Sequence, residues 1–314
     1  MLATDLMPDK PLISMVIVAY EMARELPRTL RTALPPYQKG IESGDVEVIV
    51  VDNGSREPLS RSQIEAFPGV TLKIMEAANP SPVAAIHAGA QLARGEWLGI
   101  LVDGARMLSP GILEKVLLAG KLDPDPFVST VACHLGSTLQ QISTREGYNQ
   151  SVEDELLASI AWEEDGYKLF SISTLAASSA NGWFGPISES NAVFLKRESY
   201  FGMGGFDPAF QTPGGGYCNL DFYKRAVERF GKSHIQLLGE ATFHQVHGGV
   251  STNHLSGQIS MGNSAIFREE YLRIRGAAYQ QPTDVPILLG QAFPECRATM
   301  KHALDSVLSR DRGR

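Results

Sequence analysis

The 314-residue chain holds only three cysteines, Cys133, Cys218 and Cys296. They are far apart, odd in number and lack C-x-x-C spacing. A disulfide framework and a structural zinc knuckle are excluded, and buried or idle thiols in a reducing compartment are expected. No apolar run approaches the roughly 20 residues a spanning helix needs; the longest lies around Leu12–Tyr20. Met1–Lys10 carries Asp5 and Asp9 and no basic region ahead of an apolar stretch, so it does not read as a signal peptide. A cytoplasmic location is the expectation. Positive charge is also in short supply. Lys plus Arg number 28 and Asp plus Glu 35, a formal charge of −7. Non-specific binding to nucleic acid or an anionic membrane is therefore not the main task, although a local anion site remains compatible with an acidic chain. Repeats, low-complexity tracts and a clean linker are missing as well.

What is present is a βα alternation. Apolar residues make up 43%, enough for a sizeable core. Ile13–Ala19 is a β-branched run of the kind buried on both sheet faces. Glu47–Val51, Val70–Met75 and Trp97–Val102 read as further strands. Glu25–Leu34, a short helix closed by Ile64–Phe67, Val83–Ala93 and Ile112–Ala119 read as the intervening helices. Such units imply a mostly parallel sheet flanked by helices. Ligands then bind beyond the carboxyl ends of the strands. That rule selects the loops after Ala19, at Asp52–Ser55, near Asn79 and at Asp103–Met107.

The second half is less regular. A helix-like stretch at Glu153–Trp162 lies within Ser-rich loop. Ser190–Leu195, Ile235–Leu238 and Ala241–Phe243 read as short strands, and Leu220–Phe230 as a helix. Met300, Leu304, Val307 and Leu308 share one helical face. Length alone allows about two domains or one enlarged α/β domain. The pattern favours one domain over 1–250, with a nucleotide-binding half at about 12–120 and an acceptor half at about 121–250. Residues 251–314 would form a lid and helical extension packed on it, with a frayed tail at Arg310–Arg314.

Two nucleotide cradles are absent. A dinucleotide fold places G-x-G-x-x-G after its first strand. Here Ala19 is followed by Tyr20-Glu21-Met22-Ala23-Arg24, without a glycine. The P-loop pattern G-x-x-x-x-G-K-[ST] is missing too. A nucleotide would have to be held by side chains and strand ends.

The order of motifs resembles the family 2 glycosyltransferases, which have the nucleotide-diphospho-sugar (GT-A) fold. The resemblance covers about residues 12–250. It rests on Val16-Ile17-Val18-Ala19-Tyr20, Val50-Val51-Asp52-Asn53-Gly54-Ser55, Ala93-Arg94-Gly95-Glu96 and Asp103 seven residues before Pro110-Gly111. Gly204-Gly205-Phe206-Asp207 and Asp221 with Arg225 complete it. By that resemblance Asp52 contacts the nucleotide base, beside Ala19, Tyr20, Glu21 and Asn79. The diphosphate lies over Asp103 and Gly104, with Arg106 near it to offset charge. The implied partners are a nucleotide-sugar donor, with UDP expected, and a glycan or lipid-linked acceptor in polysaccharide biosynthesis. A homodimer is compatible with the sequence.

Two departures from the family stand out. The usual Asp-x-Asp is Asp103-Gly104-Ala105, so the second carboxylate is missing. A divalent metal, Mn²⁺ or Mg²⁺, would then rely on Asp103, substrate oxygens and a histidine, His247 first and His244 second. The position of the family's general base is Asn219, which cannot take a proton. Asp221 is one substitute, implying inversion at the anomeric carbon, and Glu189 is another. Locally, Asn219 also suits a helix N-cap and Asp221 a first turn. Gly214–Gly216 reads as a mobile acceptor-side loop, His87 as a packing residue, and Trp183 as core or as a sugar-stacking ring. A sugar-binding protein that has lost catalysis is the rival in another class. A nucleotidyltransferase ranks below it, because the loop after the first strand lacks glycine.

Overall fold

The computed structural model describes residues 10–247 and 257–311, without the side chains of 65, 257–264, 310 and 311. Met1–Asp9, the Gly248-Gly249 pair, the start of the expected lid at 251–256 and the tail end at 312–314 lie outside them. Among the described residues ten strands form one sheet: β1 Ile13–Ala19, β2 Val46–Asp52, β3 Val70–Ile74, β4 Trp97–Leu101, β5 Arg106–Leu108, β6 Phe127–Leu135, β7 Ser173–Leu175, β8 Ala192–Lys196, β9 His234–His244 and β10 Ile287–Gly290. Their order is β10-β9-β6-β8-β4-β1-β2-β3, with β5 on β9 and β7 on β6. The pairings of β8 with β4 and β6, β5 with β9, and β7 with β6 are antiparallel; all others are parallel. The fold is the mostly parallel α/β architecture expected.

Chain order reverses at β1. The strands β2 and β3 step outward on one side, and β4 returns on the other. The crevice at such a switch point is where α/β sheets bind ligands. All seven residues of β1 and of β2 are buried. The helix Leu26–Ala33 covers one face over Ile13, Met15 and Ile17, and Val83–Leu92 covers the other over Val16 and Val18. Gly89 permits that second approach, since a Cβ there would stand 2.4 Å from Val16 Cγ1.

The regular first half follows the sequence reading except that Arg106–Leu108, read within a loop at Asp103–Met107, is the strand β5, held by its pairing with the distant β9; the second half departs further. The strand β6 has no counterpart in the hydrophobic pattern, because Ser129, Thr130 and His134 interrupt it. Ser129 Oγ meets His234 Nε2 at 2.8 Å and Thr130 Oγ1 donates to Ala192 O at 3.3 Å, while His134 accepts at Nδ1 from the Gln140 N–H at 3.1 Å. The two short strands expected near 235–243 are one continuous β9. Gly239 (φ +79°) and Glu240 lie between the two expected strands, and the chain runs through them with a register shift against β6. The buried Glu240 is neutralised by Lys115 Nζ at 2.7 Å and accepts from Tyr167 Oη at 2.8 Å. Neutralising and hydrogen-bonding a buried charge removes most of its cost. The expected helix Glu153–Trp162 is Gln150–Ala158. The C-terminal region supplies a strand, β10, besides the helices Gly257–Arg275 and Arg297–Asp311. Among the described residues no helix is long and apolar enough to cross a membrane.

Candidate functional site

A cavity of about 810 Å³ opens at the carboxyl ends of the parallel strands. One wall comes from Val18, Tyr20 and Glu21 after β1, Asn53 after β2, and Asn79. The floor carries Asp103, Arg106, His134, His244 and His247. The far wall carries Glu189 and Asn191 ahead of β8, the loop Pro213–Gly216, and Asn219. A second cavity of about 520 Å³, around Pro36, Tyr37 and Phe67, contains none of these residues.

The floor brings together three ligand atoms. His244 Nε2 lies 2.9 Å from Asp103 Oδ2, His247 Nε2 lies 3.5 Å from the same oxygen, and the two histidine nitrogens are 3.1 Å apart. Among the described residues, Asp103, His244 and His247 form the one Asp/Glu/His/Cys group close enough to share a cation. The tautomer of His244 is fixed. Gln140 Nε2 donates to the His244 carbonyl at 2.9 Å, which turns Gln140 Oε1 to His244 Nδ1 at 2.5 Å. The amide oxygen can only accept, so the ring proton sits on Nδ1 and a lone pair on Nε2. That lone pair faces the Asp103 carboxylate. Burial and then the Arg106 charge pull His244 down to about 4, so it stays neutral there. Two opposed lone pairs at this distance suit a shared cation, and one carboxylate with two imidazoles is a donor set for Mn²⁺ or a similar ion. Burial opposes charge on His247, but Asp103 raises it overall. Burial likewise opposes charge on Asp103, and its neighbours, His247 foremost, hold its carboxyl well below the usual range.

The strand β5 places Arg106 opposite His244, and β6 places His134 opposite His244 from the other side. Cross-strand neighbours share a sheet face, so the three form a row. The Arg106 side chain is nine-tenths buried. Its Nε lies 3.7 Å from Asp103 Oδ2, too far for a hydrogen bond. Neither Nε nor Nη1 has a hydrogen-bond partner among the described residues. Burial lowers its pKa from the ordinary value, opposed by Asp103 and Glu189.

At the far wall Asn219 Nδ2 donates to Glu189 Oε2 at 2.7 Å, and Asn219 Oδ1 is left buried and unpartnered. Glu189 is half-buried. Tyr217, not Asn219, precedes the helix Cys218–Phe230, so Asn219 is spared capping and faces the cavity. The loop beside it is anchored by Gly214 N–H donating to Pro80 O at 2.8 Å.

Several expected site residues are elsewhere. The carboxylate of Asp221 is turned away from the cavity. It accepts from Arg225 Nε at 2.7 Å and from Arg275 Nε and Nη2 at 2.6 and 2.7 Å. With both oxygens held by guanidinium groups it is a structural anchor, which corrects its expected role as base. Asp52 is corrected likewise: fully buried, it accepts from the Ser55 and Leu59 amides at 2.8 and 2.9 Å and does not reach the cavity. Its neighbour Asn53 does. Asn53 Nδ2 donates to Asn79 O at 2.8 Å, which leaves the buried Oδ1 unpartnered at the cavity wall. Ala19 and Gly104 lie behind the lining, where a Cβ on Gly104 would stand 2.9 Å from Val18 O. Tyr20, Glu21, Asn79, Asp103, Arg106, His244, His247 and Glu189, all site candidates from the sequence, line the cavity. Glu21 holds the Arg56 amide at 2.7 Å. Asn53, His134 and Asn191 were not read from the sequence; Asn53 was hidden by the adjacent acid, and His134 by the unrecognised β6. Trp183 is core, its Nε1 donating to Leu237 O at 2.9 Å, and His87 packs under Phe206 O at 2.7 Å.

Residues 14–118 match the sequence model described as glycosyl transferase family 2, which bears out the motif resemblance over the first half. No curated protein matches the chain. Among solved structures, S. aureus TarS superposes with a TM-score of 0.50 at 11% identity, over 83% of this chain and 39% of that one. TarS 1–349 alone gives 0.49 at 11%, over 96% and 73%. TarS 1–349 in complex with UDP-GlcNAc gives 0.49 at 12%, over 83% and 66%. The chain thus spans about two fifths of the full TarS chain, and the likeness shows a shared fold.

Proposed function

We propose that the protein is a nucleotide-sugar-dependent glycosyltransferase with Glu189 as its general base. The observation that carries this is the pairing of Glu189 with Asn219 in one cavity with Asp103, His244 and His247. A carboxylate from the segment before β8 stands beside the amide that replaces the family's acid. The Asn219 N–H holds Oε2 and leaves Oε1 to take a proton. The acceptor hydroxyl oxygen attacks the anomeric carbon while the bond from that carbon to the diphosphate oxygen breaks. The electron pair leaves with the diphosphate and the hydroxyl proton passes to Glu189. Displacement with Glu189 on the face opposite the leaving group inverts the anomeric carbon.

Asp103, His244 and His247 are the residues that would hold a divalent metal, Mn²⁺ or Mg²⁺. When bound, the ion stabilises the charge of the departing diphosphate. At the other end, Asn53 Oδ1 offers an acceptor to an imide N–H such as uracil N3–H, with Tyr20, Glu21 and Asn79 around it. A UDP-sugar donor and a glycan or lipid-linked acceptor follow. Asn219 in the base position equally favours a sugar-binding protein without transfer, and product formation separates the two. The test is a thermal-shift screen of nucleoside diphosphates and their sugars with and without Mn²⁺, since native-state ligands raise apparent stability. A shift with UDP-sugars that grows with Mn²⁺, followed by sugar transfer or donor hydrolysis, is expected. Absence of any nucleotide effect overturns the proposal.

A further inference from the structure

Gln140 is fully buried and opens the short helix Gln140–Ser143. Its side chain sets His244 with the proton on Nδ1. Its backbone N–H donates to His134 Nδ1 at 3.1 Å. An N–H at Nδ1 requires a lone pair there, so the neutral His134 ring carries its proton on Nε2. One residue therefore gives the two neighbouring rings opposite tautomers. His244 presents a lone pair to the Asp103 cluster. His134 keeps an N–H, and among the described residues no acceptor meets its Nε2.

Arg106 and His134 flank His244 on the row across β5, β9 and β6. Both line the cavity, and both are more than nine-tenths buried, at 8% and 4% exposure. Arg106 Nε and Nη1 lack partners. Leaving buried donors of a charged group unmade is costly, so a ligand acceptor is the natural partner. The replacement of the second family carboxylate by Ala105, fully buried, removes a negative charge immediately before Arg106. The floor is thus divided into a half that offers lone pairs and a half that offers N–H donors.

We propose that Arg106 and His134 Nε2–H form a subsite for phosphate oxygens that works without metal, with Gln140 as the residue that positions both halves. This rests on the nucleotide-sugar function proposed above, and its ligand class is the diphosphate. A tetrahedral anion with several acceptor oxygens fits donors standing on both sides of one residue. The guanidinium and imidazole neutralise part of the charge that a second carboxylate would have opposed.

The test is calorimetric titration of the whole chain with inorganic pyrophosphate in excess chelator, and separately with Mn²⁺ alone. The wild type is expected to bind pyrophosphate without metal. His134→Phe should weaken that binding roughly tenfold, the effect of one lost hydrogen bond to a charged group. Arg106→Met should weaken it further, and neither variant should weaken Mn²⁺ binding. Gln140→Leu should weaken both probes, metal by 10- to 100-fold as outer-shell losses do. If His134→Phe does not fold, as judged by its thermal transition, His134→Asn serves in its place. Absence of metal-free pyrophosphate binding by the wild type, or unchanged binding in the His134 variant, overturns the subsite. If UDP-sugars bind with Mn²⁺ while metal-free pyrophosphate does not, the subsite falls and the function stands. If pyrophosphate binds through His134 and Arg106 while no nucleoside diphosphate binds, the function falls and the subsite stands.

Discussion

Asn219 Nδ2 lies 2.7 Å from Glu189 Oε2, so a group that cannot take a proton is joined to one that can. Moving the carboxylate should therefore be tolerated better than losing it. Glu189→Gln is expected to lower transfer by roughly 10²- to 10⁴-fold, the usual contribution of a positioned base. The double variant Glu189→Gln, Asn219→Asp should recover part of that loss. Rates on a common donor check both, and a Glu189→Gln enzyme at full rate would remove Glu189 from the chemistry.

Asp221 should behave as an anchor. Its carboxylate is 1% exposed and bound to two arginines that are 26% and 28% exposed. Breaking a buried pair leaves charges uncompensated, and the partial exposure of the arginines moderates the cost. Asp221→Asn is expected to lose about 2–3 kcal/mol of stability in denaturant unfolding. At a temperature where the variant is folded, kcat should change little.

Metal dependence should track His247. At a Mn²⁺ concentration of about 100 times its Kd, the wild type should gain about 2.7 kcal/mol of apparent stability. His247→Ala should lose most of that gain, because one of three ligand atoms within 4.8 Å of one another is removed. Equal thermal shifts in both proteins would place the ion elsewhere.

Glu153 predicts a stability slope with pH. It is fully buried, and burial pushes its carboxyl up to about 7 despite the Val246 amide at 2.7 Å and the Arg24 charge. The folded state then binds more protons than the unfolded state between about pH 4.5 and 7. Stability from this group is full below pH 4.5 and is lost as pH rises through 7, by about 3 kcal/mol. His234 acts oppositely. Burial lowers it to about 4, so its stability is present above pH 6.5 and is lost as pH falls towards 4. Glu153→Gln should remove the first slope, so its stability relative to wild type should rise between pH 4.5 and 7. Parallel unfolding curves across that range would show that Glu153 does not titrate there.

The first four strands were readable because β1, β2 and β4 are dense apolar runs bounded by turn residues, as at Val46–Asp52, and β3 alternates apolar and polar residues. The strand β6 was not, since its polar residues are satisfied by partners distant in sequence, such as His234 and Ala192. The same distance hid the site's division of labour. Asp103, His244 and His247 could be grouped by residue type and family order. Asp221 and Asp52 could not be set aside, because only the fold brings Arg275 to one and the Leu59 amide to the other. Glu189 and Asn219 are thirty residues apart, and nothing local links them.

The row Arg106, His244 and His134 lies on hydrogen-bonded strands, whereas the far-wall segment Pro213–Gly216 lies outside the sheet. The sheet residues cannot shift separately without breaking a ladder, but that segment can be recut by itself. Under the function proposed above, a lineage built on this scaffold would change which acceptor it sugars while leaving the departure of the diphosphate untouched. Divergence in specificity should accumulate on the far wall first.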